Sequence, residues 1–245
     1  MAIDPLLKPK KKYKLIRLGG FNDGGYLVGE NSLKNAEILI SFGIEDNWQF
    51  EKEFQIINSK TKIKCYDDKL ILRFLVKKFF TEIIFFPYYL RFNFIKYFLS
   101  IIDFIRIKKR INFFQKKIFY GDLEKIIINA ESNNIFLKID IEGSEYRILE
   151  EIILNQDKII GLVIEFHDFD YHKNEIYNFC KKLNLSLIHI HPNNFSPKDK
   201  YGDPLVVELT FEKTPTIIDD KLVLPHELDM KNNPLDRDIQ LIFKK

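Results

Sequence analysis

At 245 residues the chain suits one large α/β domain, or such a domain carrying an insertion. With 46% hydrophobic and 30% charged residues it has the composition of a globular protein, which excludes disordered and fibrous classes. A formal net charge of +3 gives no global field to attract nucleic acid, so none is expected as a partner. The two cysteines, Cys65 and Cys180, lack metal-type spacing and read as buried thiols in a reducing compartment. The basic stretch from Met1 to Lys12 has no apolar run, and is not expected to be a signal peptide. No segment reaches the ~18 uncharged apolar residues that span a bilayer, so the expected location is cytoplasmic.

In chain order, the run RLGGFNDGGY from Arg17 to Tyr26 comes first, with four glycines between Gly19 and Gly25. It reads either as a hairpin turn at Asn22-Asp23-Gly24 or as a segment folded over a ligand pocket, with Asp23 and Tyr26 toward the substrate. Strands are then expected at Glu37–Ser41, Lys62–Tyr66, Lys117–Tyr120, Asn134–Asp140, Ile159–Phe166, Ser186–His191 and Pro204–Phe211. Most are continuous apolar runs, as strands buried on both faces are. Helical faces fall between them, such as Phe50, Phe54 and Ile57, or Ile176, Phe179, Cys180 and Leu183. The alternation predicts a mainly parallel seven-stranded sheet with helices on both faces. The tail, residues 224–245, reads as an extended wrap ending in a short strand, Ile239–Phe243.

Residues 73–117 break this rhythm and read as a helical insertion split at Pro87. Eleven basic residues against Glu82 and Asp103 leave the stretch at +9, and therefore the rest of the chain at −6. It also holds eleven of the 23 phenylalanines. A basic aromatic helical pair suits a peripheral contact with an anionic membrane, a clamp on a charged substrate, or the face of a homodimer. A cap with a Phe core and a solvated basic face is the plainer reading.

The chemistry gathers at strand ends. The first strand ends in Gly43 followed by Glu45, where backbone can approach a ligand at the start of a helix near Asn47. The second ends in Asp67 and Asp68, placed to hold a ribose diol about 24 residues after Gly43. The third ends in Gly121-Asp122, where the acid suits either an adenine edge or a helix cap. The fourth, LKIDIEGSE, ends in Asp140 and Glu142, which share one direction if strand geometry persists. Glu142 and Glu145 also suit the start of the helix expected after Gly143. The fifth ends in Glu165 and His167, and the sixth in His189, His191 and Asn193. Histidines beside carboxylates suit proton abstraction or a hard metal ion, for which Asp140 and Glu142 are the candidate ligands. His189 reads as an ordinary core histidine.

Taken together, these residues resemble the FkbM-type methyltransferases, a class I S-adenosylmethionine family. The similarity runs from about Arg17 to Phe211, most specifically over LKIDIEGSE and the strand VIEFH ending at His167. The resemblance implies a Rossmann-like class I methyltransferase fold over residues 1–245, with an antiparallel final strand. It implies S-adenosylmethionine as cofactor, at Gly43, Glu45, Asp67 or Asp68, Asp122 and Asp140. The NDGGY and HPNN segments look like a bacterial subgroup that modifies surface glycans. The implied activity is O-methylation of a sugar hydroxyl in a nucleotide sugar or surface polysaccharide, such as capsule or lipopolysaccharide. His167 is the expected general base, Asp140 and Glu142 its support, and Asp23, Tyr26, His191 and Asn193 the expected substrate contacts. Mg²⁺ on Asp140 and Glu142 is an alternative means of acidifying the hydroxyl. A second reading is a non-catalytic module that binds cofactor or glycan and docks through the insertion. A nicotinamide-linked enzyme is disfavoured, since GxGxxG is absent.

Overall fold

The computed structural model describes residues 3–69, 71–89, 92–200 and 202–244. Three short strands come first, β1 (Lys12–Tyr13), β2 (Leu15–Leu18) and β3 (Tyr26–Gly29), then helix α1 (Glu30–Asn35). The main body follows as β4 (Ile38–Phe42), α2 (Gln49–Ile57), β5 (Lys62–Asp67), α3 (Ile71–Tyr89), α4 (Asn93–Ile107), β6 (Asn112–Gln115), α5 (Asp122–Ile128) and β7 (Ile135–Ile139). It closes with α6 (Leu149–Leu154), β8 (Ile159–Phe166), α7 (Phe169–Lys182), β9 (Ser186–Pro192), β10 (Val207–Glu212) and β11 (Ile217–Asp219).

Seven strands form the central sheet in the order β6-β5-β4-β7-β8-β10-β9. The first five are parallel, and β10 runs antiparallel between β8 and β9. This order, reversing between β4 and β7 with an inserted antiparallel strand, is the Rossmann-like class I methyltransferase arrangement. The reversal opens a crevice at the carboxyl ends of β4 and β7, where open α/β sheets bind ligands. Every residue of β4 and of β7 is buried, as expected for strands covered on both faces. Two large apolar clusters flank the sheet. One gathers Leu137, Ile148, Phe166, Ile176 and Phe179; the other gathers Leu39, Trp48, Phe54, Phe136 and Val163.

The glycine-rich run is a hairpin, β2 paired antiparallel with β3. Asp23 and Gly24 of the same segment also line the cavity described below. At Gly19 the backbone has φ +90°, and a Cβ would meet the Gly24 carbonyl oxygen at 2.2 Å. The Arg17 guanidinium ties the turn by donating to the Gly20 carbonyl at 3.0 Å and the Asn22 carbonyl at 3.2 Å.

Several boundaries differ from the sequence reading. The third strand is Asn112–Gln115 rather than Lys117–Tyr120, because that register pairs with β5 from Lys64 to Asp67. In the expected segment Ile118 alone turns into the core, while Phe119 and Tyr120 are exposed. The stretch 73–117 therefore includes a sheet strand as well as helices. Pro87 does not divide the helices: α3 carries it in its last turn and ends at Tyr89. The last sheet strand begins at Val207, not Pro204. No strand forms over Ile239–Phe243; the tail makes a single parallel bridge there, Ile3 with Phe243. After Gly143 comes a short 3₁₀ turn, Glu145–Arg147, before α6.

The insertion is docked, not loose. The Trp48 indole N–H donates to Asp103 Oδ2 at 3.0 Å, and Lys52 Nζ donates to Asp103 Oδ1 at 2.8 Å. Phe104 packs against Trp48 and Phe113 with ring centroids 5.3 and 4.9 Å away. No helix among the described residues is long and apolar enough to cross a membrane.

Candidate functional site

A cavity of about 980 Å³ opens at the carboxyl ends of β4, β7 and β8. The loop Gly43–Gln49 forms one wall, and Lys96, Tyr97, Ser100 and Asp103 of α4 another. Asp140, Glu142 and His167 stand at its base, with Asp23, Asn193 and Phe195 opposite. The insertion is thus part of the pocket wall.

Gly43 is required by geometry. Its φ is +74°, and a Cβ would lie 1.5 Å from the Asp140 carbonyl oxygen. The turn is pinned from both sides: Gly43 N–H donates to the Tyr66 carbonyl at 3.1 Å, and Asp140 N–H to the Phe42 carbonyl at 3.1 Å. Glu45 follows in left-handed backbone at φ +48°, exposed and paired with Lys69 at 2.7 Å. Such backbone in a non-glycine residue costs about 1 kcal/mol or more and persists only where its surroundings enforce it.

Asp67 is what enforces it. Its Oδ2 accepts the Ile44 and Glu45 N–H groups, each at 2.9 Å, and its Oδ1 accepts Lys69 N–H at 2.8 Å. Asp67 therefore shapes the Gly43–Glu45 turn and faces a smaller neighbouring cavity of about 220 Å³. Asp68 beside it is exposed. Asp122 opens α5, where Lys116 Nζ lies 2.8 Å from its Oδ1 and Phe119 N–H donates to its Oδ2 at 3.0 Å. Neither Asp68 nor Asp122 lines the main cavity.

The structure brings Asp140, Glu142 and His167 together, but not by strand alternation. β7 stops at Ile139, and Glu142 adopts φ +53° before Gly143 at φ +87°. The turn itself aims the acids. His167 Nε2 lies 3.3 Å from Glu142 Oε2 and 4.0 Å from Asp140 Oδ1. One ligand atom from each of the three lies within 4.8 Å of the others, so the set has the donors and spacing to hold a divalent ion.

Glu145 is the residue that sequence reasoning undervalued. It is fully buried, and its Oε1 accepts the Ile141 and Gly143 N–H groups at 3.0 and 3.3 Å. The same oxygen lies 3.0 Å from His167 Nδ1. An oxygen already accepting two backbone donors requires Nδ1 to be the donor, which leaves Nε2 facing the cavity. Burial disfavours the charged imidazole. The hydrogen bond to Glu145 and the charge of that carboxylate lead the causes that outweigh it and push His167 up to about 9. This corrects the expectation of a neutral imidazole near pH 7.

Behind these groups lies a buried proton chain. The Tyr26 hydroxyl sits 2.9 Å from Asp140 Oδ2 and 2.8 Å from Glu165 Oε2. One hydroxyl hydrogen cannot serve two carboxylate oxygens, so one acid carries a proton of its own. Burial, reinforced by Asp140 and Glu208, pushes Glu165 well above the usual carboxylate range, which identifies it as that acid. Its Oε1 accepts from Asn193 Nδ2 at 2.8 Å. Lys138, 5% exposed within an otherwise apolar strand, donates to the Gly43 carbonyl at 2.8 Å and sits over the Tyr26 ring. Burial also pushes Asp140 up, against the opposing pull of Lys138 and His167.

Of the expected substrate contacts, Asp23 and Asn193 line the cavity. Tyr26 is buried behind Asp140 and Glu165, as its bonds to them require. His191 is buried under the C-terminal tail, with Nε2 3.1 Å from Asn232 Oδ1, and does not line the main cavity.

Residues 123–195 match the family model described as Methyltransferase FkbM domain, a segment that includes Asp140, Glu142, Glu145, Glu165 and His167. No curated protein sequence matches the chain. Similar solved structures include precorrin-6y C5,15-methyltransferase from Geobacter metallireducens, at 10% identity and TM-score 0.42, covering 75% of this chain and 85% of that one. Aeropyrum pernix fibrillarin, solved with natively bound S-adenosyl-L-methionine, is 10% identical with TM-score 0.43, covering 74% and 68%. M. capricolum TrmK, solved with S-adenosyl-homocysteine, is 14% identical with TM-score 0.37, covering 82% and 73%. The strand order is that of the class I methyltransferase fold, and residues 123–195 within it are similar to the FkbM methyltransferase domain.

Proposed function

We propose that the protein is an S-adenosylmethionine-dependent O-methyltransferase acting on a sugar hydroxyl, in a nucleotide sugar or a surface polysaccharide of capsule or lipopolysaccharide type. The observation that carries the reading is the Glu145–His167 pair, with Nε2 turned into a cavity walled by the Gly43 turn. The cavity fits the cofactor's chemistry. The tight turn at Gly43 brings backbone to its wall, and the acids Glu45, Asp140 and Glu142 suit a sulfonium and an ammonium group. When bound, S-adenosylmethionine supplies an electrophilic methyl group on a sulfonium.

His167 acts as the base in its neutral form, taking the acceptor hydroxyl's proton on Nε2 while Glu145 steadies the imidazolium through Nδ1. Asp140 orients the hydroxyl, and Tyr26 holds Asp140 in turn. Asp67 keeps the turn beside Gly43 in shape; Asp68 and Asp122, both outside the main cavity, are the candidate ribose and adenine contacts. Asp23 and Asn193 offer a carboxylate and an amide for vicinal hydroxyls, and Tyr97 and Phe195 offer apolar surface for ring C–H groups. This pairing of polar and aromatic walls favours a sugar over an aliphatic acceptor. Nucleic acid is not part of the reading.

Methyl transfer from labelled S-adenosylmethionine to a panel of nucleotide sugars and acidic oligosaccharides tests it. Transfer to oxygen that is lost in His167→Gln is expected. Tight cofactor binding with no transfer to any hydroxyl would favour the non-catalytic binding module instead. Transfer abolished by chelator and restored by Mg²⁺ would shift the acidifying role to an ion on Asp140 and Glu142.

The outer side of the helical insertion supports a peripheral membrane contact at the inner face. Phe80, Ile84, Tyr88 and Phe92 are at least half exposed on α3 or just after it, beside exposed Arg73, Lys77 and Lys78. Apolar side chains among cations fit an anionic lipid surface. A homodimer through the same face is the competing outcome.

A further inference from the structure

A second polar cluster lies outside the site described above, beneath the tail. His189 and His191 point from β9 toward Asp229. The ring Nε2 of His189 lies 2.9 Å from Asp229 Oδ1, and Nδ1 of His191 lies 3.7 Å from the same oxygen. Both histidines are buried, 2% and 4% exposed, yet neither of these nitrogens makes a hydrogen bond. The short His189 contact therefore lacks hydrogen-bond alignment. Buried polar atoms are nearly always satisfied, so two orphaned ring nitrogens aimed at one carboxylate call for a missing partner.

The Nε2 side of His191 is fixed by its neighbours. Asn232 Nδ2 donates to Glu208 Oε1 at 2.9 Å and to Asp23 Oδ1 at 3.2 Å. Its Oδ1 therefore faces His191 Nε2, which must carry the proton. A divalent cation between His191 Nδ1 and the Asp229 carboxylate would take the place of the Nδ1 proton that otherwise pairs the two. A ligating histidine whose other nitrogen donates to a fixed acceptor is the usual arrangement around metals.

We propose that His189 Nε2, His191 Nδ1 and Asp229 Oδ1 bind a single divalent ion of the zinc type between β9 and the C-terminal tail. The three atoms lie within 4.8 Å of one another. Two imidazoles and a carboxylate suit Zn²⁺, and three protein ligands leave a fourth position for water. A cavity of about 260 Å³ lined by His191, Pro225, Asp229 and Asp238 adjoins the cluster and gives that water room. His226 is not a ligand, because its Nδ1 accepts Leu228 N–H at 3.1 Å and its Nε2 then bears hydrogen. The ion clips the tail to the sheet. Asn232, three residues beyond Asp229, reaches Asp23 at the wall of the main cavity, so the clip also steadies that wall.

The test is Zn²⁺ titration of the chelator-stripped full chain against a chromophoric competitor, with His189→Gln, Asp229→Asn and Glu142→Gln alongside. Expected are one ion per chain, affinity at least 100-fold weaker in H189Q and D229N, and unchanged affinity in E142Q. Zinc should also raise the wild-type Tm by about 5 °C or more. Should H189Q and D229N fail to fold, histidine NMR of the wild type decides: Zn²⁺ should shift His189 and His191 and leave His167 and His172 in place. Absence of stoichiometric binding would overturn the proposal in favour of a His191–Asp229 ion pair. So would equal affinity in all variants, which marks an adventitious ion only, or loss in E142Q, which moves the ion to His167.

Discussion

Replacing Glu145 with Gln removes the charge beneath His167 while keeping an oxygen for the Ile141 and Gly143 N–H groups. At the observed 3.0 Å separation, two unit charges attract by about 5.5 kcal/mol at an effective dielectric constant of 20 and by about 1.4 kcal/mol in bulk water. The His167 side chain is 16% exposed, so an intermediate value of about 2–3 kcal/mol applies, equivalent to about 2 pKa units. His167, pushed up to about 9 in the native protein, should therefore titrate near 7 in E145Q, by about that same difference. The assay is ¹H–¹³C NMR titration of the five histidines, with His167 identified by its absence in His167→Gln. Stability should follow the same group. Its pKa is raised on folding, so its contribution is complete below pH 6.5 and is lost as pH rises through about 9. The native protein should lose up to about 3 kcal/mol across that window, and E145Q less than half as much. A His167 midpoint unmoved by E145Q, or already near 6.5 in the native protein, would refute the electrostatic account.

If neutral His167 is the base, turnover should rise about tenfold per pH unit from pH 6 and level off near 9; a flat profile removes it from that role. Gly43→Ala forces a Cβ against the Asp140 carbonyl and should weaken S-adenosylhomocysteine binding at least tenfold, as calorimetry would show; native affinity would mean the turn is not used. Tyr26→Phe strips the shared hydroxyl from Asp140 and Glu165 and should cost about 1–3 kcal/mol in urea unfolding, against no loss if the bridge is idle. Changing Lys77 and Lys78 to Glu should cut sedimentation with anionic vesicles severalfold; binding that persists, or a dimer that dissociates instead, would point to the other face or the other partner.

The legible part of the fold was the part written in unbroken apolar runs. β8 is found with the bounds expected, and β4, β5, β7 and β9 within a residue or so at each end, because burial on both faces demands that composition. β6 was misplaced because it is an edge strand with only Phe113 half-buried, so hydrophobicity could not distinguish it from the next apolar stretch. Asp140, Glu142 and His167 were legible as acids and a histidine ending neighbouring strands. Glu145 was not, since a glutamate after a glycine turn resembles any helix start. Its burial depends on β8 carrying His167 over it. The partners of His189 and His191 were hidden for a similar reason: Asp229 and Asn232 lie some 40 residues away, in a tail without periodicity.

Whether this cavity receives S-adenosylmethionine is decided by calorimetric titration of the chelator-treated protein with S-adenosylhomocysteine, with NAD as control. S-adenosylhomocysteine should bind 1:1 with micromolar affinity, and NAD should not bind. No binding of S-adenosylhomocysteine, with or without Mg²⁺, would contradict the proposed function.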